Sequence, residues 1–170
     1  FYCEVIMDEA GKMNRMVKNL LALNQLEFGE DDVQFERFDI TSLISGVLQS
    51  LDILIEQKEA QVIFRHKNPI YVWADEFKVE QVVRNYVNNA LNHVDGEKVI
   101  EIKITQENDM AKITVFNTGT PIPEEDLPHI WEKFYKVDKA RTREYGGNGI
   151  GLSIVKAIMD SFGKGYGAIN

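Results

Sequence analysis

The sequence predicts an α+β fold, in which helices cover one face of a mixed, mostly antiparallel sheet, preceded by a long N-terminal helix. Apolar residues recur at helical spacing over residues 1–28 and 76–92. Short strand-like runs lie between and after these helices, and their order favours antiparallel pairing. With 170 residues, of which 44% are hydrophobic, the chain is long enough to bury a core.

Charge and composition exclude several classes of protein. The 27 acidic residues outnumber the 19 Lys and Arg, and the net charge of −8 argues against a nucleic-acid partner. No run of about 18 apolar residues is present, so none is expected to span a membrane. The single cysteine, Cys3, excludes an internal disulfide and is typical of a reducing compartment. Because the chain begins at Phe1 rather than Met, we expect a fragment of a longer protein.

The first element is a predicted amphipathic helix over residues 1–28. Its apolar positions recur at helical spacing, and they are Ile6, Ala10, Met13, Val17, Leu20 and Leu21. Two interpretations stay open. The helix folds against its own domain, or its apolar seam packs on a partner helix outside this sequence. Three acidic residues, 30–32, follow Phe28-Gly29 and indicate a linker.

The middle of the chain begins with a short strand predicted at residues 38–40. Thr41 or Ser42 is expected to cap one long helix that follows, through about Glu59. Two strand-like runs, residues 61–65 and 70–74, are predicted to pair with each other as a hairpin.

A second hairpin is predicted where residues 99–105 and 111–116 alternate apolar and polar side chains across a turn at Glu107-Asn108-Asp109. A short helix near residues 124–130 and a last helix over residues 149–162 complete the predicted fold.

Asn85 and Asn89 lie four residues apart in the helix predicted over residues 76–92, whose buried side is expected to include Phe77. Residues at this spacing share one helical face, so the two amides lie side by side. Amide oxygens are neutral ligands that suit Mg²⁺, which also keeps waters and phosphates in its shell. Taken alone, the pair is equally consistent with capping and solvation of a helix end.

A loop rich in Gly and Pro, Asn117-Thr118-Gly119-Thr120-Pro121-Ile122-Pro123, directly follows a predicted strand. Glycine permits a close backbone approach, and the prolines stiffen the turn. An Asn at the strand end is able to read an adenine edge through its donor and acceptor. Taken alone, such a loop is more often structural.

A glycine-rich segment, Gly146-Gly147-Asn148-Gly149-Ile150-Gly151-Leu152, opens the last predicted helix, where backbone N–H groups attract phosphate. It is not a dinucleotide-binding motif, since no βαβ unit surrounds it, and not a P-loop, since no GK[ST] follows. Residues 133–143, just before it, hold five cations and one acid. They indicate either a solvated loop or a mobile lid for polyphosphate.

Taken in order, the two-asparagine helix, Asn117-x-Gly119, Phe134 and Gly147-x-Gly149-x-Gly151-Leu152 resemble the ATP-binding domain of the sensor histidine kinases of two-component systems. The resemblance covers about residues 38–170 and implies the Bergerat ATP-binding sandwich, with its final hairpin cut off by the end of the chain. Residues 1–29 resemble the second helix of that family's dimerisation and phosphoacceptor hairpin, and residues 30–37 are then the linker.

The resemblance implies a role for each motif. Asn85 and Asn89 would form the N box, with Asn89 holding Mg²⁺ against the phosphates of ATP. Asn117 would read the adenine, and Lys136 would contact the transferred phosphate. The other residues that are expected to line the nucleotide site are Asn92, His93, Gly119, Ile122, Phe134, Arg141, Gly147, Gly149, Ile150, Gly151 and Leu152.

Three positions depart from the family's pattern. Asn117 stands where Asp is common, Asn92 where many relatives have Lys, and His93 where many have Tyr. The missing Lys places more of the phosphate charge on Lys136 and on the arginines that follow it. Because an amide that flips exchanges its donor and acceptor, Asn117 is expected to give a narrower preference for ATP over GTP than Asp would give.

None of the three histidines, His66, His93 and His129, lies in the family's His-Glu/Asp-x-x-x-Pro motif. The resemblance therefore implies that the chain donates a phosphoryl group to a histidine on a hairpin helix outside it. The expected partners are that helix, a second copy of the full-length protein and a response regulator. The expected location is the cytoplasmic portion of a protein anchored in the bacterial plasma membrane.

Two other functions stay open. ATPases of the gyrase, mismatch-repair and heat-shock chaperone types share the fold but place Glu at the position of Asn85, as anti-sigma-factor serine kinases tend to do. An amide cannot take a proton near neutral pH, so hydrolysis through a general base is disfavoured here. A nucleotide-sensing module without catalysis is the other possibility, and the cations of residues 133–143 favour catalysis over it.

Overall fold

The computed structural model describes residues 2–27, 33–137 and 149–170, which belong to two compact units. The helical unit comprises Phe1–Asp32 and Ile122–Asn170, and the sheet unit comprises Val33–Pro121. In chain order the elements are α1 (Tyr2–Glu27), β1 (Glu36–Asp39), α2 (Ile40–Ser50), α3 (Asp52–Lys58), β2 (Gln61–Phe64), β3 (Tyr71–Ala74), α4 (Glu76–His93), β4 (Val99–Glu107), β5 (Met110–Asn117) and α5 (Gly151–Ser161).

The strands of the sheet unit form two sheets. β1 pairs with β3 in antiparallel fashion, and β4 lies between a parallel β2 and an antiparallel β5. The α+β class with a mixed, mostly antiparallel arrangement is therefore confirmed. The predicted hairpin of residues 61–65 with residues 70–74 is wrong. The apolar residues of β2 pair along β4, with Phe64 opposite Ile102, whereas β3 pairs along β1, so each strand finds its partner far away in sequence.

The hairpin of β4 and β5 is confirmed. Its two turn residues, Asn108 and Asp109, both have a positive φ, of 51° and 59°. Asn and Asp tolerate this conformation better than other residues with a side chain, and a two-residue turn of this kind matches the twist of the strands. The strands stay in register from Glu107 opposite Met110 to Ile100 opposite Asn117.

The core of the sheet unit lies between α2, α4 and β4. Its fully buried side chains include Ile44, Val47, Val83, Val87, Leu91, Ile100 and Ile102. Phe77 was expected on the buried side of α4, and this is wrong, because its ring is 73% exposed. Phe77 shares its helical face with Gln81 and Arg84, which are four and seven residues further on.

The long helix that was predicted after residue 40 is two helices, α2 and α3, which meet at Leu51. The cap of α2 is Asp39 rather than Thr41 or Ser42. Its carboxylate accepts from the Thr41 backbone N–H (3.0 Å) and from the hydroxyls of Ser42 (2.6 Å) and Thr41 (2.7 Å). These hydrogen bonds, that from Ser42 first, lower the pKa of Asp39 to about 2.

In the helical unit, α1 packs against α5, and Leu23 of α1 is buried. Four residues of the predicted seam, Ile6, Met13, Val17 and Leu21, are each more than half exposed. Both interpretations of α1 therefore stay open. The packing against α5 favours a helix that folds against its own domain, and the exposed residues of the seam favour a partner helix outside this sequence. Among residues 2–27, 33–137 and 149–170, no helix combines the length and apolarity that a membrane span requires.

The short helix predicted near residues 124–130 is instead a succession of turns. Backbone bonds from Asp126 to Pro123 and from Ile130 to Asp126 make single helical turns. Pro128 lacks a backbone N–H, so the ladder of hydrogen bonds is interrupted in the middle of this segment.

Candidate functional site

Helix α4 carries the two asparagines that the sequence singles out. Asp75 caps the helix by accepting from the Lys78 backbone N–H at 3.0 Å. Buried residues such as Val87 fix the rotation of the helix against the core. Asn85 and Asn89 are consequently half-buried, one turn apart on a single face, as expected.

The two amides differ in their hydrogen bonds. Asn85 Nδ2 donates to the backbone carbonyl of Gln81 at 2.8 Å, so Oδ1 is its remaining group. The Asn89 amide has no hydrogen bond with any residue that the structure describes. A half-buried amide without a protein partner keeps both its donor and its acceptor for a ligand or a cation. Asn92 lies on the same face and is also half-buried.

Thr118 joins the end of β5 to the end of α4 and to the start of β4. Its hydroxyl donates to the Asp95 carbonyl (2.9 Å) and accepts from the Val99 backbone N–H (3.0 Å). Its own backbone N–H donates to the Val99 carbonyl, and its carbonyl accepts from the Asp95 N–H, both at 2.9 Å. These four bonds fix the position of the loop that begins at Asn117.

Gly119 lies directly against the last residue of α4. A Cβ at this position would lie 2.4 Å from the His93 carbonyl oxygen and 3.4 Å from Asn117 Nδ2. Any side chain would force the loop away from the helix, so glycine is required for this approach. The His93 backbone therefore lies against the Asn117–Gly119 loop, and His93 as a whole is exposed.

The Asn117 amide is half-buried, and Nδ2 donates to the Thr118 carbonyl at 3.2 Å. In the flipped amide, an oxygen would face that carbonyl oxygen, which is unfavourable. The bond thus favours the orientation in which Oδ1, an acceptor, is the group that remains for a ligand. The sequence alone left both orientations open.

In the helical unit, Phe134 and Gly149 are in direct contact. The Phe134 N–H donates to the Gly149 carbonyl at 2.8 Å, and both residues have a positive φ, of 65° and 66°. A Cβ on Gly149 would lie 3.0 Å from backbone atoms of Phe134 and Tyr135. Phe134 is 47% exposed, so its aromatic ring is accessible to a ligand.

Ile150, Gly151 and Leu152 form the beginning of α5. Ile150 is buried and occupies the N-cap position, where no side chain bonds to the helix, and Gly151 and Leu152 are half-buried. The first turn of α5 therefore has no side-chain cap. Ile122 is held in the same unit, because its N–H and carbonyl both bond to the Asn170 side-chain amide, at 2.9 and 2.7 Å.

Lys136 is half-buried and makes no ion pair with any residue in the described ranges. It follows Tyr135, whose hydroxyl donates to the Asp126 carboxylate, and this bond raises the pKa of Tyr135. Arg141 and Gly147, which the resemblance also assigns to the site, lie outside the described residues.

Sequence reasoning missed two structural contributors, Thr118 and Asp75. Thr118 was part of a quoted motif, but nothing in that motif indicates which chain segments its hydroxyl joins. The role of Asp75 could have been predicted from the sequence, because an Asp one residue before a predicted helix is typical of an N-cap.

Comparison with known proteins identifies the family. The sequence profile of the family described as "Histidine kinase-, DNA gyrase B-, and HSP90-like ATPase" matches residues 74–169. This chain belongs to that family. The match contains Asn85, Asn89 and the Asn117–Gly119 loop, together with the start of α5, so every motif that suggested the resemblance lies inside it.

The similar curated proteins are sensor histidine kinases. The chain is 32% identical over 163 residues to the sensor histidine kinase WalK of Bacillus subtilis, covering 94% of this chain and 26% of WalK. It is 35% identical over 166 residues to YkoH of the same organism, covering 94% of this chain and 34% of YkoH. The chain thus spans about a quarter to a third of the length of these relatives.

Solved structures give the same fold. The Acinetobacter baumannii histidine kinase AdeS matches with a TM-score of 0.76 at 19% identity, over 93% of this chain and 72% of that one. The catalytic domain of the histidine kinase ThkA matches with a TM-score of 0.66 at 28% identity, over 75% and 81%. The expected family and fold class, a histidine kinase catalytic domain, are confirmed.

Proposed function

We propose that the chain binds Mg²⁺–ATP and donates the γ-phosphoryl group to a histidine on a hairpin helix outside it, as part of a sensor histidine kinase. The observation that carries the proposal is the contact of Gly119 with the His93 carbonyl. This contact holds the Asn117 loop beside the end of the helix that presents Asn85 and Asn89. The amides proposed for the metal and the amide proposed for the base thus belong to the same compact unit.

Asn117 is the proposed adenine-reading residue. Its Oδ1 is an acceptor suited to the adenine amino group, and its Nδ2 is already bonded to the Thr118 carbonyl. By the resemblance, the backbone of Gly119 would form the wall beneath the base, and the missing Cβ lets that backbone lie against the His93 carbonyl.

The residues of α4 fit the Mg²⁺ that accompanies ATP. Asn89 has a half-buried amide without a described partner, and Asn85 keeps Oδ1 for a second contact. Oxygen ligands of this type are those that Mg²⁺ prefers, and bound Mg²⁺ would neutralise phosphate charge during transfer. We propose Asn89 as the main protein ligand.

The phosphates are assigned to residues of the helical unit. The backbone N–H groups of Gly151 and Leu152, in a first turn without a side-chain cap, suit an anion. Lys136 is proposed to contact the transferred phosphate as a point charge. By resemblance, Asn92, Ile122, Phe134, Arg141, Gly147, Gly149 and Ile150 complete the set.

The partners follow from the family. The relatives are sensor kinases, and one similar structure is that of ThkA in complex with the response regulator protein TrrA. We therefore propose a response regulator, the acceptor hairpin and a second full-length copy as partners, with the full-length protein anchored in the bacterial plasma membrane. We also propose residues 1–29 as the second hairpin helix, residues 30–37 as linker and residues 38–170 as the ATP-binding domain.

Phosphoryl transfer is favoured over hydrolysis by the chemistry of Asn85. Its amide is neutral and donates to the Gln81 carbonyl, so it cannot remove a proton from water. Phosphoryl transfer depends mainly on positioning and charge neutralisation, which amides and cations supply.

The substitution Asn89→Ala tests the metal assignment. We expect the Mg²⁺-dependent part of ATP affinity to fall at least about tenfold, since even indirect partners of a bound metal contribute that much. Asn88→Ala is the matched control, because Asn88 is an equally half-buried amide on another face of α4. Calorimetric titration of both variants with ATP, with and without Mg²⁺, gives the comparison. An unchanged Mg²⁺ dependence in Asn89→Ala contradicts the assignment.

A further inference from the structure

A groove apart from the proposed nucleotide-binding residues lies in the sheet unit, where β2 ends and the chain turns away from β4. A groove of about 290 Å³ opens there between residues 65–70 and β4. Its rim carries Arg65, His66 and Lys67, and its floor is formed by Ile70 and Ile104. The two isoleucines are half-buried and pack against the core, so the floor is fixed.

Two of the three rim residues, Arg65 and Lys67, place positive charge side by side on a protein of net charge −8. Arg65 and Lys67 are exposed, and neither makes an ion pair with residues 2–27, 33–137 or 149–170. The His66 ring lies 5.0 Å from that of Phe64, the last residue of β2. An acidic chain repels anions over most of its surface, so a local group of unpaired cations favours anions at this place.

The wall on the other side of the groove is an open strand edge. β2 pairs with β4 only as far as Phe64 opposite Ile102, whereas β5 accompanies β4 to Glu107. Residues 103–107 therefore have β5 on one side, and no strand from the described part of the chain lies on the other. Such an edge presents backbone N–H and carbonyl groups that pair with an added strand.

We propose that this groove, formed by Arg65, His66, Lys67, Ile70, Ile104 and Gln106, binds a short acidic segment of a partner protein in extended conformation. The segment adds to the open edge of β4, its carboxylates face Arg65 and Lys67, and an aliphatic side chain rests on Ile70 and Ile104. A volume of 290 Å³ limits the inserted part to a few residues. The proposal is independent of nucleotide binding.

The test uses the 170-residue chain and two capped peptides, Glu-Val-Glu-Val-Glu and Gln-Val-Gln-Val-Gln. We expect the acidic peptide to bind and the amide peptide to bind at least about tenfold more weakly, because only the first pairs with the cations. Amide hydrogen exchange at residues 103–107 slows when the acidic peptide is bound. Arg65→Glu and Lys67→Glu each weaken binding about fivefold or more, whereas Lys112→Glu, an equal charge change on β5, stays within about twofold.

Three results would overturn the proposal. The first is equal binding of the two peptides, and the second is binding without slower exchange at residues 103–107. The third is displacement of the acidic peptide by inorganic phosphate at similar concentration, which would make the groove a site for small anions. Urea unfolding of each variant checks that the fold is intact. If Arg65→Glu does not fold, the loss of peptide binding in a folded Lys67→Glu variant still tests the proposal.

Discussion

Gly119 in the sheet unit and Gly149 in the helical unit both allow one backbone segment to touch another. At Gly119 the nearest atom to an added Cβ is the His93 carbonyl oxygen at 2.4 Å, and at Gly149 it is Phe134 backbone at 3.0 Å. The surroundings differ as well. Four hydrogen bonds of Thr118 fix the first contact, whereas within the described part of the chain one backbone bond, between Phe134 and Gly149, joins the second.

The two contacts, each within its own unit, therefore differ in how closely the backbone segments approach and in how many hydrogen bonds hold them. The Asn117 loop cannot move away from α4 without breaking bonds to both Asp95 and Val99. Among the described residues, one backbone hydrogen bond holds the Phe134–Gly149 contact, and an added Cβ there would meet backbone atoms at 3.0 Å rather than 2.4 Å. A residue that reads a base benefits from a fixed position, since discrimination depends on the geometry of individual hydrogen bonds.

The largest effect is expected from Gly119→Ala. The added Cβ would lie 2.4 Å from the His93 backbone oxygen, so we expect a loss of about 2–3 kcal/mol in unfolding free energy and loss of measurable ATP binding. Gly96→Ala is the control, because it adds a Cβ in open space in the same unit and is expected to cost only the backbone strain of about 1–2 kcal/mol. Urea unfolding and calorimetric titration measure both quantities. Equal unfolding free energies of the two variants would contradict the claim that the Gly119–His93 contact tolerates no added Cβ.

A smaller effect is expected from the contact that Gly149→Ala disturbs, measured as the difference in unfolding free energy between Gly149→Ala and Gly163→Ala. Its φ of 66° matches the 62° of Gly163, which has nothing within 4 Å of an added Cβ. Each substitution therefore carries the same backbone cost of about 1–2 kcal/mol. The difference between the two variants isolates the contact with Phe134, and we expect it to be about 1 kcal/mol. A difference as large as the cost of Gly119→Ala would show that both contacts are equally rigid.

The smallest effect is expected from Asn117→Asp on the ratio of ATP affinity to GTP affinity. If the Asn117 amide were free to flip, Asp at this position would clearly raise the ratio of ATP affinity to GTP affinity. The bond from Asn117 Nδ2 to Thr118 already holds an acceptor in place, so we expect a change of about threefold or less. Competition binding of ATP and GTP to both chains decides between the two. A tenfold gain with Asp would show that the amide is free to flip.

Sequence patterns predicted those parts of the fold that local chemistry determines. The periodicity of α1 and α4 and the Asn108-Asp109 turn each lie within one short segment, and all three are confirmed. The pairing of β2 and β3 depends on which distant strand offers the better partner. No local signal at Gln61 or Tyr71 indicates that choice. The prediction that β2 and β3 pair with each other, as the strands nearest in sequence, was therefore wrong.

The candidate site follows the same rule. Asn85 and Asn89 were found because helical spacing alone places them together. The fourfold role of Thr118 depends on Asp95 and Val99, which come close only when α4, β4 and β5 have assembled. The orientation of Asn117 was missed for the same reason, since its partner is a backbone carbonyl that carries no sequence signal.

Phosphoryl transfer to a separate hairpin protein tests the central claim most directly. The chain is incubated with Mg²⁺, ATP labelled at the γ-phosphate and the dimerisation hairpin of a sensor histidine kinase relative, beside a hairpin whose phosphoacceptor histidine is replaced by glutamine. The account predicts acid-labile phosphate on the first hairpin, none on the second and none on the chain itself. Release of inorganic phosphate with both hairpins unlabelled, or acid-labile phosphate on the chain, would contradict it.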